Sequence, residues 1–221
     1  MELLIKACIF DLDGTLLNTI EDICDSLNES LKNHGYSVHS VEDCKKFVGS
    51  GTKKLIYRAM GILPSDEEYK KVFNDYLELY EQRLLNKTKP YKGIFNILTL
   101  LQEKNIPISV FSNKPQVLAE RAVKYYFPDI NFSAIFGQND DYPRKPDPTV
   151  ALKISEIVNI NPKEIAFIGD SVQDYKTARN AGMIPVSVLW GYQEKKDIES
   201  VGAHCFFDNT KELLEFLQNN I

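Results

Sequence analysis

Two aspartates one residue apart, Asp11 and Asp13, stand directly after an apolar run from Leu3 to Phe10 that only Lys6 interrupts. Carboxylates that close raise each other's energy unless a cation or a shared proton compensates. Mg²⁺ supplies that compensation and prefers hard oxygen ligands. Further along, the apolar run Ile106–Phe111 is followed by Ser112-Asn113-Lys114. Lys145 opens the stretch Lys145-Pro146-Asp147-Pro148, where the proline biases it toward extended backbone. The run Ile165–Ile168 leads into Gly169-Asp170-Ser171, with Asp174 four residues after Asp170. A hydroxyl, a lysine and several carboxylates, most of them at the ends of apolar runs, amount to a site for phosphate and Mg²⁺. Each fragment alone is weak. An acidic Asp-x-Asp-Gly stretch also suits an ordinary turn, as does Ser112-Asn113. Lys114 competes with Lys145 for the cationic role, and Asp174 suits the first turn of a helix, where it complements the dipole. Asp140 and Asp141 read as a solvated loop.

The elements that must position these residues follow from periodicity. Short runs at Leu3–Phe10, Ile106–Phe111, Ile165–Ile168 and Val186–Leu189, with a weaker one at His204–Phe207, read as strands. Helical stretches are expected around residues 93–104, 115–126, 148–158, 172–181 and 210–219. Strands alternating with helices imply a parallel sheet with right-handed crossovers. Ligands of such sheets bind at the carboxyl ends of the strands, where the acids and the serine fall. Residues 17–87 differ in texture and read as helices only. Ile20, Ile23, Leu27 and Leu31 recur at helical spacing. Ser40 with Asp43 and Ser65 with Glu68 are capping-box signatures. The stripe Tyr69, Val72, Phe73, Tyr76, Tyr80, Leu84 reads as helix-packing core. The block is therefore an insertion in an α/β domain, dividing the chain into a core of residues 1–16 and 88–221 and an inserted unit of residues 17–87.

Composition excludes several function classes. The 221 residues carry a net charge of −5, which gives no footprint for nucleic acid or an anionic membrane. No apolar run reaches the length of a membrane span, and the start of the chain does not read as a signal peptide. Cys8, Cys24, Cys44 and Cys205 have no metal-binding spacing and read as small buried hydrophobes in a reducing cytosol, so a cytoplasmic location is expected. His34, His39 and His204 form no ligand set, and the first two flank Gly35 in what reads as a solvated turn.

In these motifs the chain resembles the haloacid dehalogenase-like hydrolases. It carries four family motifs in order: DLDGT at Asp11–Thr15, Ser112 with Asn113, Lys145, and GDSVQD at Gly169–Asp174. The resemblance covers essentially the whole chain. Within the family it is most similar to the phosphoglycolate phosphatases, through VGSG at Val48–Gly51, RAM at Arg58–Met60, PYKG at Pro90–Gly93, KPDP at Lys145–Pro148 and WGY at Trp190–Tyr192. The resemblance implies a Rossmann-like parallel-sheet core with an inserted all-helical cap. It also implies roles. Asp11 is the nucleophile that forms an aspartyl-phosphate, and Asp13 the general acid and base. Mg²⁺ is the cofactor, held by the Asp11 carboxylate, the Asp13 backbone carbonyl and Asp170. Ser112, Asn113 and Lys145 hold the phosphoryl oxygens, and Asp174 orients the metal site from behind, through water or Lys145.

The expected activity is hydrolysis of a small phosphorylated metabolite, 2-phosphoglycolate in particular, by a monomer or weak homo-oligomer. Specificity is expected in Gly49–Arg58, with Gly51 and Lys54 toward the substrate and Arg58 on the same helical face as Lys54. Hinges are expected at Leu16–Thr19 and Leu85–Pro90. A pyrophosphatase or a broad small-molecule phosphatase is an alternative. A sugar-phosphate mutase fits less well, because Ile23 and Gly51 stand where the mutases carry a histidine and an arginine. A phospho-receiver module fits least, because its acidic pair precedes the phosphorylated Asp by a long stretch and it has no cap.

Overall fold

The computed structural model describes residues 4–61 and 65–221, so Leu3, where the first apolar run begins, lies outside the described residues. That run yields β1 (Ala7–Phe10), buried at every position. Burial on both faces is what a continuous apolar run demands, as opposed to an alternating one. There follow β2 (Leu17–Asn18) and four helices, α1 (Ile20–Asn33), α2 (Val41–Phe47), α3 (Thr52–Met60) and α4 (Asp66–Arg83). After β3 (Lys89–Pro90) and α5 (Ile94–Glu103), strands and helices alternate: β4 (Ile108–Pro115), α6 (Gln116–Tyr126), β5 (Phe132–Gln138), α7 (Thr149–Val158), β6 (Ile165–Gly169), α8 (Val172–Ala181), β7 (Ile184–Val188), α9 (Lys195–Glu199), β8 (Phe206–Phe207) and α10 (Thr210–Asn220).

Six strands form one sheet in the order β5-β4-β1-β6-β7-β8, every pairing parallel. Phe10 is level with Val110 on one side and Ile168 on the other. That register brings the residues following β1 and β6, and the end of β4, to the same edge of the sheet. The chain leaves β1 toward β4 on one side and returns to β6 on the other, so the edge is also the topological switch point. Alternate residues of β1 feed two cores. Cys8 and Phe10 pack with Ile97, Leu101 and Leu213, while Ala7 and Ile9 pack with Val150, Ile154 and Ala178 on the opposite face.

One departure from the sequence pattern matters: β5 was not expected. It is an edge strand, mostly half-buried and containing Gly137, so it shows neither a continuous apolar run nor a clean alternation. β4 runs on from the apolar stretch through Ser112, Asn113 and Lys114 to Pro115, so the alternative of an ordinary turn at Ser112-Asn113 falls away.

Helices α1 to α4 make an all-helical cap inserted after β1. The stripe Ile20, Ile23, Leu27, Leu31 is buried, as its spacing predicts. Ser65 and Glu68 close a full capping box on α4, and Ser40 accepts from the Asp43 amide to start α2. The Cys24 and Cys44 sulfurs lie 2.7 Å apart between α1 and α2, and burial raises the pKa of both thiols. His39 does not sit in a simple solvated turn. Its Nε2 lies 2.7 Å from the Ala59 carbonyl, tying the end of α3 to the α1–α2 loop. The two passages between cap and sheet pair with each other as a short antiparallel ribbon, Leu17 with Pro90 and Asn18 with Lys89. Buried Asp22 pins the ribbon by accepting from the amides of Lys87 and Thr88 and from the Thr88 hydroxyl at 2.8–3.0 Å.

Candidate active site

Asp11 follows β1 and Asp170 follows β6, and Ser171 starts α8 with a capping box closed by Asp174. Asp11, Asp170 and Asp174 are all buried, and each offers a carboxylate oxygen within 4.8 Å of the others. Lys145 reaches them from the loop between β5 and α7. Its Nζ lies 2.8 Å from Asp11 Oδ1 and 2.6 Å from Asp174 Oδ1. Burial works against the charge on Lys145, but the carboxylates of Asp11 and Asp174 outweigh it and hold the ammonium well above its ordinary pKa. Asp174 thus has both candidate duties: Oδ2 accepts from the Ser171 amide at 3.0 Å, closing the helix cap, while Oδ1 anchors Lys145.

Three buried carboxylates facing one ammonium leave an excess of negative charge. Burial, then Asp174, raises Asp11 to about 7 against the opposing pull of Lys145. Asp170 is also held well above the ordinary carboxylate range, by burial and then by Asp11 and Asp174. Among the described residues only neutral donors answer it: the Thr15 hydroxyl at 3.0 Å and the Tyr192 amide at 2.8 Å. Backbone also closes around this carboxylate. A Cβ on Gly14 would come within 2.4 Å of Asp170 Oδ2, and one on Gly191 within 2.2 Å. The excess charge, the all-oxygen donor set and the glycine cradle fit a hard divalent cation such as Mg²⁺.

The other side of the site is a cavity of about 50 Å³, room for a few water molecules. Asp11, Asp13, Ser112, Asn113, Lys114 and Lys145 supply its polar lining from the sheet edge. The cap supplies Ile23, Val48, Gly49, Gly51, Thr52, Leu55, Tyr76 and Tyr80. Asn113 is a brace. Its side-chain carbonyl accepts from the Lys145 amide at 2.9 Å, and its amide group donates to the Gly49 carbonyl of the cap at 3.1 Å. Arg144 donates to the Ser50 carbonyl at 3.2 Å. The Gly49–Gly51 loop is therefore seated on the sheet edge. Gly51 has φ +85°, and a Cβ there would come within 2.9 Å of Gln138 Oε1 and 3.0 Å of Arg144 Nη1.

The family model described as haloacid dehalogenase-like hydrolase matches residues 8–188. The chain belongs to that family. Phosphoglycolate phosphatase from Psychrobacter arcticus is 29% identical over 216 residues, covering 95% of this chain and 94% of its own. N-acetylmuramic acid 6-phosphate phosphatase from Pseudomonas aeruginosa is 27% identical, covering 96% of this chain and 95% of its own. Among solved structures, a protein from Lactobacillus delbrueckii subsp. bulgaricus, provisionally assigned as a phosphoglycolate phosphatase, superposes with a TM-score of 0.92 at 28% identity. That match covers 98% of this chain and 99% of that one. The doubly wound parallel sheet with an inserted helical cap is thus the hydrolase fold of this family.

Within this hydrolase, Asp11, Asp13, Ser112, Asn113, Lys145 and Gly51 converge on one cavity, with Asp170 and Asp174 in the acidic cluster beside it. Lys54 lies apart. It is exposed and borders a separate surface groove with Ser50, Arg144 and Gln173. The reason is helical phase: Thr52 and Leu55 turn toward the cavity, and Lys54 falls on another face of α3. Arg58 shares that face and is already committed, donating to the Phe47 carbonyl at 3.0 Å at the end of α2.

Two residues of the site escaped the sequence pattern. Lys114 does not compete with Lys145. Its side chain is 2% exposed and Nζ lies 2.9 and 3.2 Å from the two Asp13 carboxylate oxygens. It also donates to the hydroxyl of Tyr80, a member of the stripe expected to be helix-packing core alone. Burial, then Asp13, holds the Tyr80 phenol far above its ordinary pKa, so it stays protonated. The i, i+2 spacing of Ser112 and Lys114 along β4 was the available signal, since it sets both side chains on one face of a strand.

Proposed function

We propose that this hydrolase is a Mg²⁺-dependent phosphomonoesterase that works through an aspartyl-phosphate on Asp11 and takes a small phosphorylated acid, 2-phosphoglycolate, as its substrate. The observation that carries the reading is the division of labour around one small cavity. Asp11 is fixed by a buried lysine at an acidic cluster, and a second acid, Asp13, faces the same space in a separate ion pair.

In this reading the carboxylates of Asp11 and Asp170, with the Asp13 backbone carbonyl, hold the cation, and Asp174 keeps Lys145 in place. When bound, the cation would supply charge neutralisation for the transferring phosphoryl group. Asp11 attacks phosphorus in line. Lys145 and Ser112 bind the phosphoryl oxygens, while the Asn113 side chain steadies the Lys145 backbone. Asp13 gives a proton to the leaving oxygen and then takes one from the water that hydrolyses the intermediate.

Residues 17–87 act as a mobile cap on a core of residues 1–16 and 88–221. A cavity of about 50 Å³ roofed by cap residues must open to admit substrate. The paired crossings Leu17–Asn18 and Lys89–Pro90 are the natural hinge. A phosphate-release screen of phosphorylated metabolites, run with wild type and Asp11→Asn, tests the reading. Turnover led by 2-phosphoglycolate and abolished in the variant is expected. Equal turnover of sugar phosphates, N-acetylmuramic acid 6-phosphate among them, would replace the substrate assignment.

A further inference from the structure

We infer that Lys114, with Tyr80 from the cap, forms the subsite that holds the carboxylate of the substrate. The inference rests on the phosphoglycolate reading above and names the groups that select the acid. Two lysines line the cavity. Lys145 lies between Asp11 and Asp174, on the side where phosphorus is attacked. Lys114 lies against Asp13, the acid that meets the leaving oxygen. Whatever the substrate carries beyond that oxygen therefore enters the space around Lys114. The cap lines the rest of that space with Ile23, Val48, Gly49, Gly51, Thr52, Leu55 and Tyr76, and among the described residues that line it no further cation stands beside Lys114.

All three ammonium hydrogens of Lys114 are engaged, two by Asp13 and one by the Tyr80 hydroxyl. Asp13 in turn has both oxygens occupied by Lys114. To reach a leaving oxygen, Asp13 must release one of them, and a buried ammonium that loses an anionic partner needs another. A carboxylate one carbon beyond the ester carbon supplies it. Tyr80 accepts from Lys114 and donates to nothing among the described residues, so its O–H hydrogen is available to the same carboxylate. Binding of the right acid thereby frees Asp13 to work, and a leaving group without the charge leaves Asp13 held. Because Tyr80 belongs to α4, the subsite is complete only when the cap is down.

The test compares 2-phosphoglycolate with n-propyl phosphate, which has a chain of similar length and no carboxylate. Kinetics by phosphate release are measured for wild type, Lys114→Met and Tyr80→Phe. Wild type should prefer 2-phosphoglycolate. In Lys114→Met the ratio of kcat/KM for the acid to that for the neutral ester should fall by about 10- to 100-fold, the range for a lost charge-assisted hydrogen bond. The fall should combine a raised KM for the acid with a narrowed gap in kcat between the two esters. Tyr80→Phe should lower the same ratio by a smaller factor. It keeps the ring and its packing, so it carries the test alone if Lys114→Met does not fold. A common loss in kcat on both esters, with the ratio unchanged, would mean that Lys114 only orients Asp13 and would overturn the subsite alone. No preference for 2-phosphoglycolate in wild type would overturn the substrate reading together with the subsite.

Discussion

Removal of metal should make the stability of this protein depend on pH in a direction unusual for carboxylates. Burial, with Asp174 close by, raises Asp11 from 3.8 to about 7. Between those values the folded chain keeps a proton that the unfolded chain has released. The stabilisation is complete below the unfolded value, declines as pH rises, and is lost once pH passes the folded value. At 1.36 kcal/mol per pH unit the interval corresponds to on the order of 4 kcal/mol. Asp170, raised by burial and by Asp11, extends the loss in the same direction. For a chain of this size each kcal/mol moves Tm by about 2–4 °C. The assay is urea unfolding of metal-stripped protein between pH 4.5 and 8, followed by the fluorescence of the single tryptophan, Trp190. Its indole donates to the Thr15 carbonyl beside the site. Asp11→Asn serves as the reference, since its difference from wild type reports the Asp11 carboxyl together with its effect on Asp170. Wild type should lose stability relative to the variant as pH rises, and excess Mg²⁺ at pH 8 should restore about 2.7 kcal/mol at one hundred times its Kd. A flat or rising difference, or no response to Mg²⁺, would refute the account of the acidic cluster.

Asp13→Asn should retain its fold and lower kcat by about 10²–10⁴-fold, measured by phosphate release, because proton transfer to the leaving oxygen is lost. Ca²⁺ should bind in competition with Mg²⁺ and inhibit, because calcium accepts more ligands and bidentate carboxylates where magnesium demands octahedral order; equal turnover with either ion would contradict this. Gly51→Val should lower kcat/KM for 2-phosphoglycolate and n-propyl phosphate by a common factor of about 5- to 100-fold. The left-handed backbone and the approach of Gln138 and Arg144 would keep the cap loop off the sheet edge whatever the substrate.

The sheet was legible wherever strands are buried on both faces, since β1 and β6 read as unbroken apolar runs. β5 was not, because an edge strand need not satisfy a pattern on both faces. The acids at strand ends were legible for a topological reason: a parallel sheet gathers its carboxyl ends at one edge, so scattered fragments converge. Lys114 was misjudged because sequence gives its type and neighbours but not its partner. Asp13 lies far from it in the chain, and only the register of β1 against β4 joins them. Lys54 and Arg58 were rightly placed on one helical face. The apolar positions Leu55, Ile56, Ala59 and Met60 mark the buried side of α3, and the two cations lie off it. Tyr80 shows the converse limit. A buried aromatic stripe looks the same in sequence whether its hydroxyls end in core or in a reacting space.

The claim on which everything rests is that Asp11 becomes phosphorylated. Asp13→Asn protein, in which hydrolysis of the intermediate is slowed, is mixed with 2-phosphoglycolate and Mg²⁺, quenched in acid within the first turnover and digested for mass spectrometry. The account predicts one phosphoryl group on the peptide containing Asp11, absent when Asp11 is replaced by Asn. Phosphate released at the wild-type rate with no covalent phosphoryl-enzyme, or a phosphoryl group found on any other residue, would contradict it.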